Sequence, residues 1–428
     1  MKLKKIIVNI TCTVGDSMKP FLLKILPLSL LKKIKKNVIH SAYNENTIRL
    51  PYDKGAYPFG INLIGYIKAQ MGLGQGCRLM ASAIETSGIP FTIMDTRVGN
   101  PFNHNDNTWD DQIVKTPKYS INIFHVNPEQ MPPLQLSLPV DTLDKRYNIG
   151  VWLWELPDFP DEWCDAFGLV DEVWAPSVFN CESIRTKANV PVTLIPYGIA
   201  ADFDEKYDRE YFELPNDKFL FLSMYDANST IQRKNPIGAV KAFKKAFTPK
   251  DNTVGLVIKI NNPTDEDLAI INEELQGYTN IYFIKNTMSK VEVNSLIKAV
   301  DVFVSLHRAE GFGLVIAEAM MLGTPVVATD WSANVDFMNE ENSCPVSYEL
   351  KQLGQDYFFY KAYQHWAEPD INNAAEYMVR LLNDKEYYEK LCKNAKQYIE
   401  TNFSIQKSAE AISNRISEIN NHGNNIVN

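Results

Sequence analysis

Two glutamates, Glu310 and Glu318, stand eight positions apart on either side of the turn Gly311-Phe312-Gly313. The turn lies between a predicted strand rich in β-branched residues and a predicted helix, which is where open α/β sheets bind ligands. Glycine lets backbone approach a ligand closely, and a helix N-terminus offers free N–H groups to a phosphate. The two carboxylates then suit hydroxyls at the sugar end and the ribose end of one molecule, whereas either glutamate alone is equally typical of a solvated helical acid.

A histidine, His125, directly follows the strand-forming run Ile121-Asn122-Ile123-Phe124. A neutral imidazole at the end of a strand can hydrogen-bond a sugar hydroxyl in the crevice beyond it. A lone histidine is more often a structural residue whose hydrogen bonds are satisfied within the fold, and the residues alone leave both interpretations open. His307, three positions before Glu310, is a second candidate that could equally pin its loop.

Three more glycines, Gly72, Gly74 and Gly76, form a turn after the predicted strand at 60–66. The turn departs from the Gly-x-Gly-x-x-Gly pattern of dinucleotide-binding folds, and only Asp95 stands near the place of the acidic residue of that pattern. A nicotinamide site is therefore not predicted.

Acidic residues cluster in two further stretches. The stretch 152–163 interleaves tryptophans with acids and predicts either an acceptor pocket or a structural loop; its acids are Glu155, Asp158, Asp161 and Glu162. The run Asp265-Glu266-Asp267 opens a predicted helix, where negative charge is stabilising. There is no His-Glu-x-x-His motif and the six cysteines are widely spaced, so we predict no metal site and no disulfides.

The elements that must position these residues alternate between strand and helix. In the first half, apolar runs predict strands at 60–66, 90–94, 120–126, 148–154, 172–175 and 192–195, with a helix at 78–86 that Gly88 closes. In the second half, strands at 219–223, 254–260, 281–284, 302–306 and 325–328 alternate with helices at 236–247, 265–276, 290–300 and 314–322. This alternation predicts parallel, doubly wound α/β sheets.

A chain of 428 residues exceeds a single hydrophobic core. We predict two Rossmann-like domains facing a cleft, an N-terminal one at 51–205 and a C-terminal one at 206–400. A basic extension at 1–50 precedes them, and a C-terminal helix with a frayed tail at 401–428 follows them.

The composition is that of a folded cytoplasmic protein, with 45% hydrophobic and 22% charged residues. A formal net charge of −9 argues against a general nucleic-acid binder. No run reaches the ~20 apolar residues of a membrane-spanning helix. No small-residue cleavage site follows the lysine-containing start, so secretion is not predicted.

The first 36 residues contrast with the rest, because they hold nine lysines against one acid, Asp16. Apolar and cationic residues alternate in blocks there, which suits the surface of an anionic membrane leaflet. The alternative is a solvated, proline-interrupted helix packed on its own domain. The residues leave both interpretations open, the first placing the protein at the inner face of the cell membrane.

Taken together, these motifs resemble the retaining glycosyltransferases of family 4, which have the GT-B architecture of two Rossmann-like domains. Glu310 and Glu318 around Gly-Phe-Gly-Leu form the main motif, and similarity continues through Ile195-Pro196-Tyr197-Gly198 and Gly323-Thr324-Pro325-Val326-Val327-Ala328. The stretches Trp152-Leu153-Trp154-Glu155-Leu156-Pro157 and Trp366-Ala367-Glu368-Pro369-Asp370 resemble a subgroup common in bacterial surface-polysaccharide clusters.

The resemblance implies a role for each matching residue. Glu310 contacts the transferred sugar beside the backbone of Gly311, Phe312 and Gly313, and His125 lies near that sugar. The amides of Leu314 and Val315 meet the diphosphate, Glu318 holds the ribose, and the loop of Gly72, Gly74 and Gly76 approaches the donor phosphate and the acceptor.

The resemblance also implies a basic pair on the diphosphate, for which Arg233 and Lys234 fit, since fixed cations stabilise the charge of the leaving group. Many relatives carry Gly-Arg directly after the first donor-domain strand, where this chain has Met224-Tyr225-Asp226. Arg233 must then act as the second cation, unless the pair is ordinary surface charge.

The function implied is metal-independent transfer of a hexose from a nucleotide-diphosphate sugar to a growing, lipid-linked surface glycan. The His-Arg-Ala-Glu-Gly-Phe-Gly variant resembles mannosyltransferases, so GDP-mannose is the first donor expected and a UDP-hexose the next; no other cofactor is expected. Two alternatives stay open, a nucleotide-sugar epimerase of the same architecture and a catalytically inactive partner subunit.

Overall fold

The structure is a computed structural model that describes residues 49–422 apart from Pro101, Asn228 and Phe358. The basic segment 1–36 and its predicted membrane contact lie outside the described residues. Within the part described, no helix is both long enough and apolar enough to traverse a bilayer. The five cysteines found there are free thiols.

The first half of the chain forms a six-stranded parallel sheet, as predicted, in the order β2-β1-β3-β4-β5-β6. Its strands are β1 Ile61–Gly65, β2 Phe91–Asp95, β3 Ile121–His125, β4 Tyr147–Val151, β5 Glu172–Ala175 and β6 Val192–Leu194. β1, β3, β4 and β5 are buried along their whole length, which explains why their sequences read as nearly continuous apolar runs. The carboxyl ends of β1 and β3 pair in register at Gly65 and His125.

Among the described residues of the first half, three α-helices and three 3₁₀ segments accompany this sheet. The helices are α1 Gly72–Ser87, α2 Met131–Ser137 and α3 Val178–Arg185, and the 3₁₀ segments are Asp110–Gln112, Pro128–Gln130 and Asp161–Leu169. The predicted glycine turn at 72–76 is not a loop, because α1 begins at Gly72 and includes it. A Cβ atom at Gly74 would lie 2.1 Å from the carbonyl oxygen of Ala69, so only glycine lets the helix start this close to the preceding loop.

The second half forms another six-stranded parallel sheet, in the order β12-β11-β10-β7-β8-β9. Its strands are β7 Phe219–Asp226, β8 Val254–Asn261, β9 Ile281–Ile284, β10 Val302–Ser305, β11 Val326–Thr329 and β12 Cys344–Val346. Its helices are α4 Ile231–Lys234, α5 Pro236–Ala246, α6 Asp265–Glu274, α7 Lys290–Ala299 and α8 Leu314–Met321, with a 3₁₀ segment Ala333–Asp336. The acidic run at 265–267 is the first turn of α6, where Asp267 completes a capping box with Thr264.

An antiparallel hairpin after the second sheet joins the two halves through its connecting loop. β13 Tyr348–Gln352 pairs with β14 His365–Pro369. In the loop between them, Tyr360 stacks on Trp154 of the first half with ring centroids 5.2 Å apart. Phe359 meets Trp163 edge-on at the same separation. The stretch 152–163 therefore packs against the second half.

Three helices end the described chain, α9 Ile371–Asn383, α10 Lys385–Asn402 and α11 Ile405–His422. α10 packs against α8 of the second half, whereas α11 returns to the first half and packs against α1. Arg415 of α11 donates to both carboxylate oxygens of buried Glu172, at 2.8 and 2.9 Å. The chain thus passes between the halves twice, and the two passages touch where Ile199 N donates to Phe403 O.

Candidate active site between the two sheets

Glu310 lies at the centre of a buried ionic cluster with the predicted basic pair. Lys234 Nζ donates to Glu310 Oε1, and Arg233 Nη1 lies 3.6 Å from Glu310 Oε2. Arg233 also donates to the carbonyl oxygen of Ala309 at 2.8 Å, which fixes the guanidinium beneath the turn. The structure therefore brings together three residues that lie up to 77 positions apart in the sequence.

The local fold explains why the pair points into the site. α4 is a single turn that ends at Asn235, whose left-handed backbone (φ 49°) starts α5 in a new direction. The side chain of Asn235 donates to Leu306 O at 2.8 Å and accepts from Gly238 N at 3.1 Å. The turn is thereby tied to the end of β10, and its two cations face the strand's carboxyl end.

Electrostatics hold Glu310 in its ionised form. Burial alone would raise the pKa of Glu310, but the charges of Lys234 and Arg233 outweigh it and lower the pKa to about 2. Burial lowers the pKa of Lys234 against the opposing charge of Glu310. Arg233 is also desolvated, yet Tyr360, Glu155 and Glu310 together raise its pKa. Glu310 is therefore a carboxylate at neutral pH.

One acid of the stretch 152–163 reaches this cluster. Glu155 Oε1 lies 4.0 Å from Arg233 Nη2, and its other oxygen accepts a hydrogen bond from Tyr360 Oη at 3.1 Å. Asp161 and Glu162 instead form ion pairs with Lys187 and Lys361 at 2.6 and 3.5 Å. The backbone carbonyl of Asp158 accepts from Trp154 and Gln364. The stretch is thus mainly a packing element that presents Glu155 to the site.

The glycine turn at 311–313 is held from both halves. Asn180 and Ser177 of the first half donate to Gly311 O, and Phe312 meets Tyr197 edge-on with centroids 5.2 Å apart. Gly313 adopts a positive φ of 88° as the N-cap of α8. Leu314 and Val315 form the first turn of α8, where backbone N–H groups have no partner within the helix. The turn and the helix start can therefore donate to an anion.

Glu318 lies one turn further along α8 and is fully buried. Lys290 Nζ lies 2.5 Å from Glu318 Oε2, while neither carboxylate oxygen has a partner in hydrogen-bond geometry among the described residues. Burial raises the pKa of Glu318, and Lys290 and the more distant Arg78 oppose the increase. Lys290 did not stand out in the sequence, because its position at the start of α7 is 28 residues from Glu318.

His125, at the end of β3 in the first half, is fully buried. Its Nε2 is hydrogen-bonded to Tyr197 Oη at 2.9 Å, and its Nδ1 has no partner in hydrogen-bond geometry among the described residues. Burial lowers the pKa of His125 to about 4, so the imidazole is neutral. Gly76 of α1 packs directly above, since a Cβ there would lie 3.1 Å from His125 Cε1.

The remaining predicted residues lie around this centre. His307 is buried and bonded to Asn334 Oδ1 at 3.0 Å and Ser305 O at 3.1 Å, an arrangement that pins its loop. Asp95 lies 3.8 Å from His104 at the end of β2. Gly72 meets nothing within 4 Å of an added Cβ, so it marks the open end of α1.

Among the described residues, the side chains that could bind a metal ion do not cluster. In the part of the chain that the structure describes, no three His, Cys, Asp or Glu side chains come together in an arrangement that would hold a metal ion.

Parts of the chain are similar in sequence to known proteins, and its fold is similar to that of solved structures. Residues 204–348 match the family described as "Glycosyl transferases group 1". A segment of 119 residues is 31% identical to the trehalose synthase of Thermococcus litoralis, covering 28% of this chain and 24% of that protein. The chain therefore matches only about a quarter of the length of this relative. The family match includes the basic pair, the glycine turn and Glu318, but not His125.

Solved structures share the fold of most of the chain at low sequence identity. The Anabaena protein HepE in complex with UDP and glucose is 12% identical, with a TM-score of 0.61 over 84% of this chain and 100% of that chain. Sucrose-phosphate synthase from Thermosynechococcus elongatus is 14% identical, with a TM-score of 0.61 over 84% and 99% of the two chains. The chain has the GT-B fold, as predicted, and its residues 204–348 carry the match to the group 1 glycosyltransferases.

Proposed function

We propose that the protein is a glycosyltransferase that moves a hexose from a nucleotide-diphosphate sugar to a hydroxyl of a growing glycan. The observation that carries the proposal is the convergence of Glu310, Lys234 and Arg233 at the start of α8. Cations and helix amides suit a diphosphate leaving group, and an ionised carboxylate beside them suits the hydroxyls of a sugar. The family match over this same segment supports the assignment.

Negative charge develops on the departing diphosphate, and stabilising this charge is the main electrostatic requirement of the reaction. The bond between the anomeric carbon and the β-phosphate oxygen breaks, and its electron pair goes to the diphosphate. Lys234, Arg233 and the first amides of α8 stabilise that charge. In the structure both cations are neutralised by Glu310 and Glu155, so a bound diphosphate shares them with these acids.

Resemblance to family 4 supports retention of the anomeric configuration. The acceptor oxygen then bonds to the anomeric carbon on the face that the diphosphate leaves, and its proton passes to the departing phosphate oxygen. In this scheme Glu310 and neutral His125 hold the sugar, and Glu318 holds the ribose. Closure of the halves around Glu155 and Tyr360 excludes water that would hydrolyse the donor.

The donor is proposed to be a UDP-hexose or GDP-mannose. HepE was crystallised with UDP-glucose, which supports the first, and the mannosyltransferase-like motif around Glu310 supports the second. The acceptor is proposed to be a lipid-linked glycan at the inner face of the cell membrane. Two similar proteins are named for trehalose and sucrose phosphate, so free sugars belong in an acceptor panel.

We also propose that no divalent ion is required, because Arg233 and Lys234 supply the positive charge that a metal would supply. Chelation with EDTA should then leave transfer unchanged. A loss of activity that only added Mg²⁺ or Mn²⁺ restores would contradict this part of the proposal.

A thermal-shift panel with GDP, UDP, ADP, dTDP and NAD tests the donor site directly. A ligand at 100 times its Kd should stabilise the protein by about 2.7 kcal/mol. We expect one nucleoside diphosphate to stabilise the native protein, and Lys234→Ala and Glu318→Ala to lose the shift. No shift with any nucleotide would instead support an inactive partner subunit, whereas donor turnover without any acceptor product would support an epimerase.

A further inference from the structure

The carboxylate of Glu318 is a buried acceptor with unfilled hydrogen-bonding capacity. Its side chain is 1% exposed, and neither oxygen has a partner in hydrogen-bond geometry among the described residues. An ionised carboxylate only accepts hydrogen bonds and offers about four lone-pair sites, so the contact of Lys290 with Oε2 leaves capacity for a further pair of donors. The two neighbouring hydroxyls of a ribose are a pair of that kind.

Lys290 is the cation that keeps this carboxylate charged. Its Nζ lies 2.5 Å from Glu318 Oε2, and its side chain is 31% exposed, so it extends from the surface to the buried acid. The other charge acting on Glu318 is Arg78 of α1, which already forms an ion pair with Asp106 at 3.3 Å. Lys290 is therefore the principal counter-ion of Glu318.

The position of Lys290 in its helix is electrostatically unfavourable. It is the first residue of α7, where the helix dipole disfavours a positive charge. Ser289 and Glu292 form a capping box that fixes where the helix starts and hence where Lys290 projects. α7 packs beside α8, so this fixed start aims the lysine at Glu318. The negative charge of Glu318 therefore offsets the unfavourable interaction between the Lys290 ammonium and the dipole of α7.

We propose that Lys290 is a positioning residue that holds Glu318 ionised and oriented to accept both ribose hydroxyls of a nucleoside diphosphate. The assignment rests on the proposed function, since it extends the role of Glu318 there. It makes Lys290 responsible for preferring a ribonucleotide over one that lacks the two hydroxyls.

Nucleotide binding by Lys290→Met and Lys290→Arg tests this assignment, with UDP, GDP and their 2′,3′-dideoxy forms as probes. At pH 7, Lys290→Met should weaken binding of the preferred ribonucleotide at least about tenfold, because hydrogen bonds to an ionised carboxylate are replaced by weaker ones to a neutral acid. Binding of the dideoxy form should not change, and Lys290→Arg should restore wild-type affinity. The loss of affinity in Lys290→Met should become smaller as the pH rises from 7 to 9, because a higher pH favours the ionised form of Glu318.

Lys298→Met is the matched control, because Lys298 lies on the same helix and donates to Leu322 O away from Glu318. Wild-type affinity in Lys290→Met, or equal weakening of the ribonucleotide and its dideoxy form, would overturn the assignment. A wild-type protein that binds no nucleotide would instead count against the proposed function.

A second measurement needs no nucleotide. Without Lys290, ionising the buried Glu318 is unfavourable, so the Tm of Lys290→Met should fall increasingly below that of the wild type between pH 5 and pH 9. A Tm difference that does not vary with pH would overturn the assignment even if nucleotide binding were absent.

Discussion

Nε2 of His125 and Oη of Tyr197 share a buried hydrogen bond of 2.9 Å. The contact joins the end of β3 to the segment around Tyr197, where the chain first passes from one half to the other. The Tyr197 ring then meets Phe312 edge-on, so the same residue touches the glycine turn of the second half. A predicted sugar-binding histidine and the predicted donor turn are therefore connected through one tyrosine.

Tyr197→Phe should remove the hydrogen-bond partner of His125 Nε2. A buried polar group left unsatisfied costs about 1–3 kcal/mol, so the free energy of unfolding should fall by that amount in urea titration. The control is Tyr211→Phe, which removes an exposed hydroxyl bonded to Glu292. Equal, small losses in both variants would show that the buried contact contributes no more than a surface one.

Gly76→Ala should destabilise the protein, whereas Gly72→Ala should not. A Cβ at Gly76 would lie 2.9 Å from Tyr197 Oη, while nothing lies within 4 Å of one at Gly72. Overpacking typically costs about 1–3 kcal/mol, and alanine in an open helix position adds up to about 1 kcal/mol. Chemical denaturation of both variants measures the difference. A neutral Gly76→Ala would mean that Tyr197 and His125 shift without loss.

Glu310→Gln should abolish transfer while nucleoside-diphosphate binding persists. The substitution keeps the shape of the side chain but removes the charge that we propose faces the sugar, and we expect turnover to fall at least about 100-fold. Lys234 and Arg233 remain to hold the diphosphate. Turnover and calorimetric Kd should be compared with Glu349→Gln on exposed β13. Parallel loss of turnover and binding would assign Glu310 to the diphosphate instead.

Glu129 should make the protein less stable as pH rises. Burial raises the pKa of Glu129 to about 7, and nearby Glu155 contributes. Between the ordinary glutamate pKa and about 7, the native state binds a proton that the unfolded state has released, so stability decreases by up to about 1.4 kcal/mol per pH unit. Glu129→Gln should therefore raise the Tm relative to the wild type at pH 8 but not at pH 4.5. Exposed Glu205→Gln is the control, and a gain that is the same at both pH values would contradict the prediction.

Deleting residues 1–36 should weaken binding to anionic liposomes and leave nucleotide binding intact. Each lysine near such a surface contributes about 1 kcal/mol, and the segment holds nine. Co-sedimentation with phosphatidylserine vesicles, with neutral vesicles as the control, measures the effect. Unchanged co-sedimentation would exclude the membrane interpretation of this segment.

Local pattern was sufficient for most strands of the two sheets, because buried parallel strands consist mainly of apolar residues. β5 and β9 agree with the prediction residue by residue. β4 ends at Val151 rather than at the predicted residue 154, since Trp152 and Trp154 are apolar for another reason: they pack in the aromatic contacts beneath the loop of Tyr360. Apolar residues alone do not distinguish a strand from a buried loop that follows it.

The hairpin β13–β14 was not predicted, because every residue of Tyr348–Gln352 is exposed and its alternation of apolar and polar residues is too short to distinguish a strand from a surface loop. A sequence motif was sufficient to select Glu310 and Glu318 on either side of the glycine turn, and their roles stay predictions. Tyr360 and Lys290 were not selected, since their contacts depend on where segments 205 and 28 residues away are brought by the fold.

The two passages between the halves lie against each other at Gly198, where an added Cβ would lie 2.5 Å from Ile405 Cα. Because the two connecting segments are adjacent, the halves are linked at one place and not at two separated places. A relative movement of the halves would therefore turn about this shared point, where Ile199 N also donates to Phe403 O. α11 leaves this point directly, so removing it would take away both its packing on α1 and the ion pair of Arg415 with Glu172 that hold it to the first half.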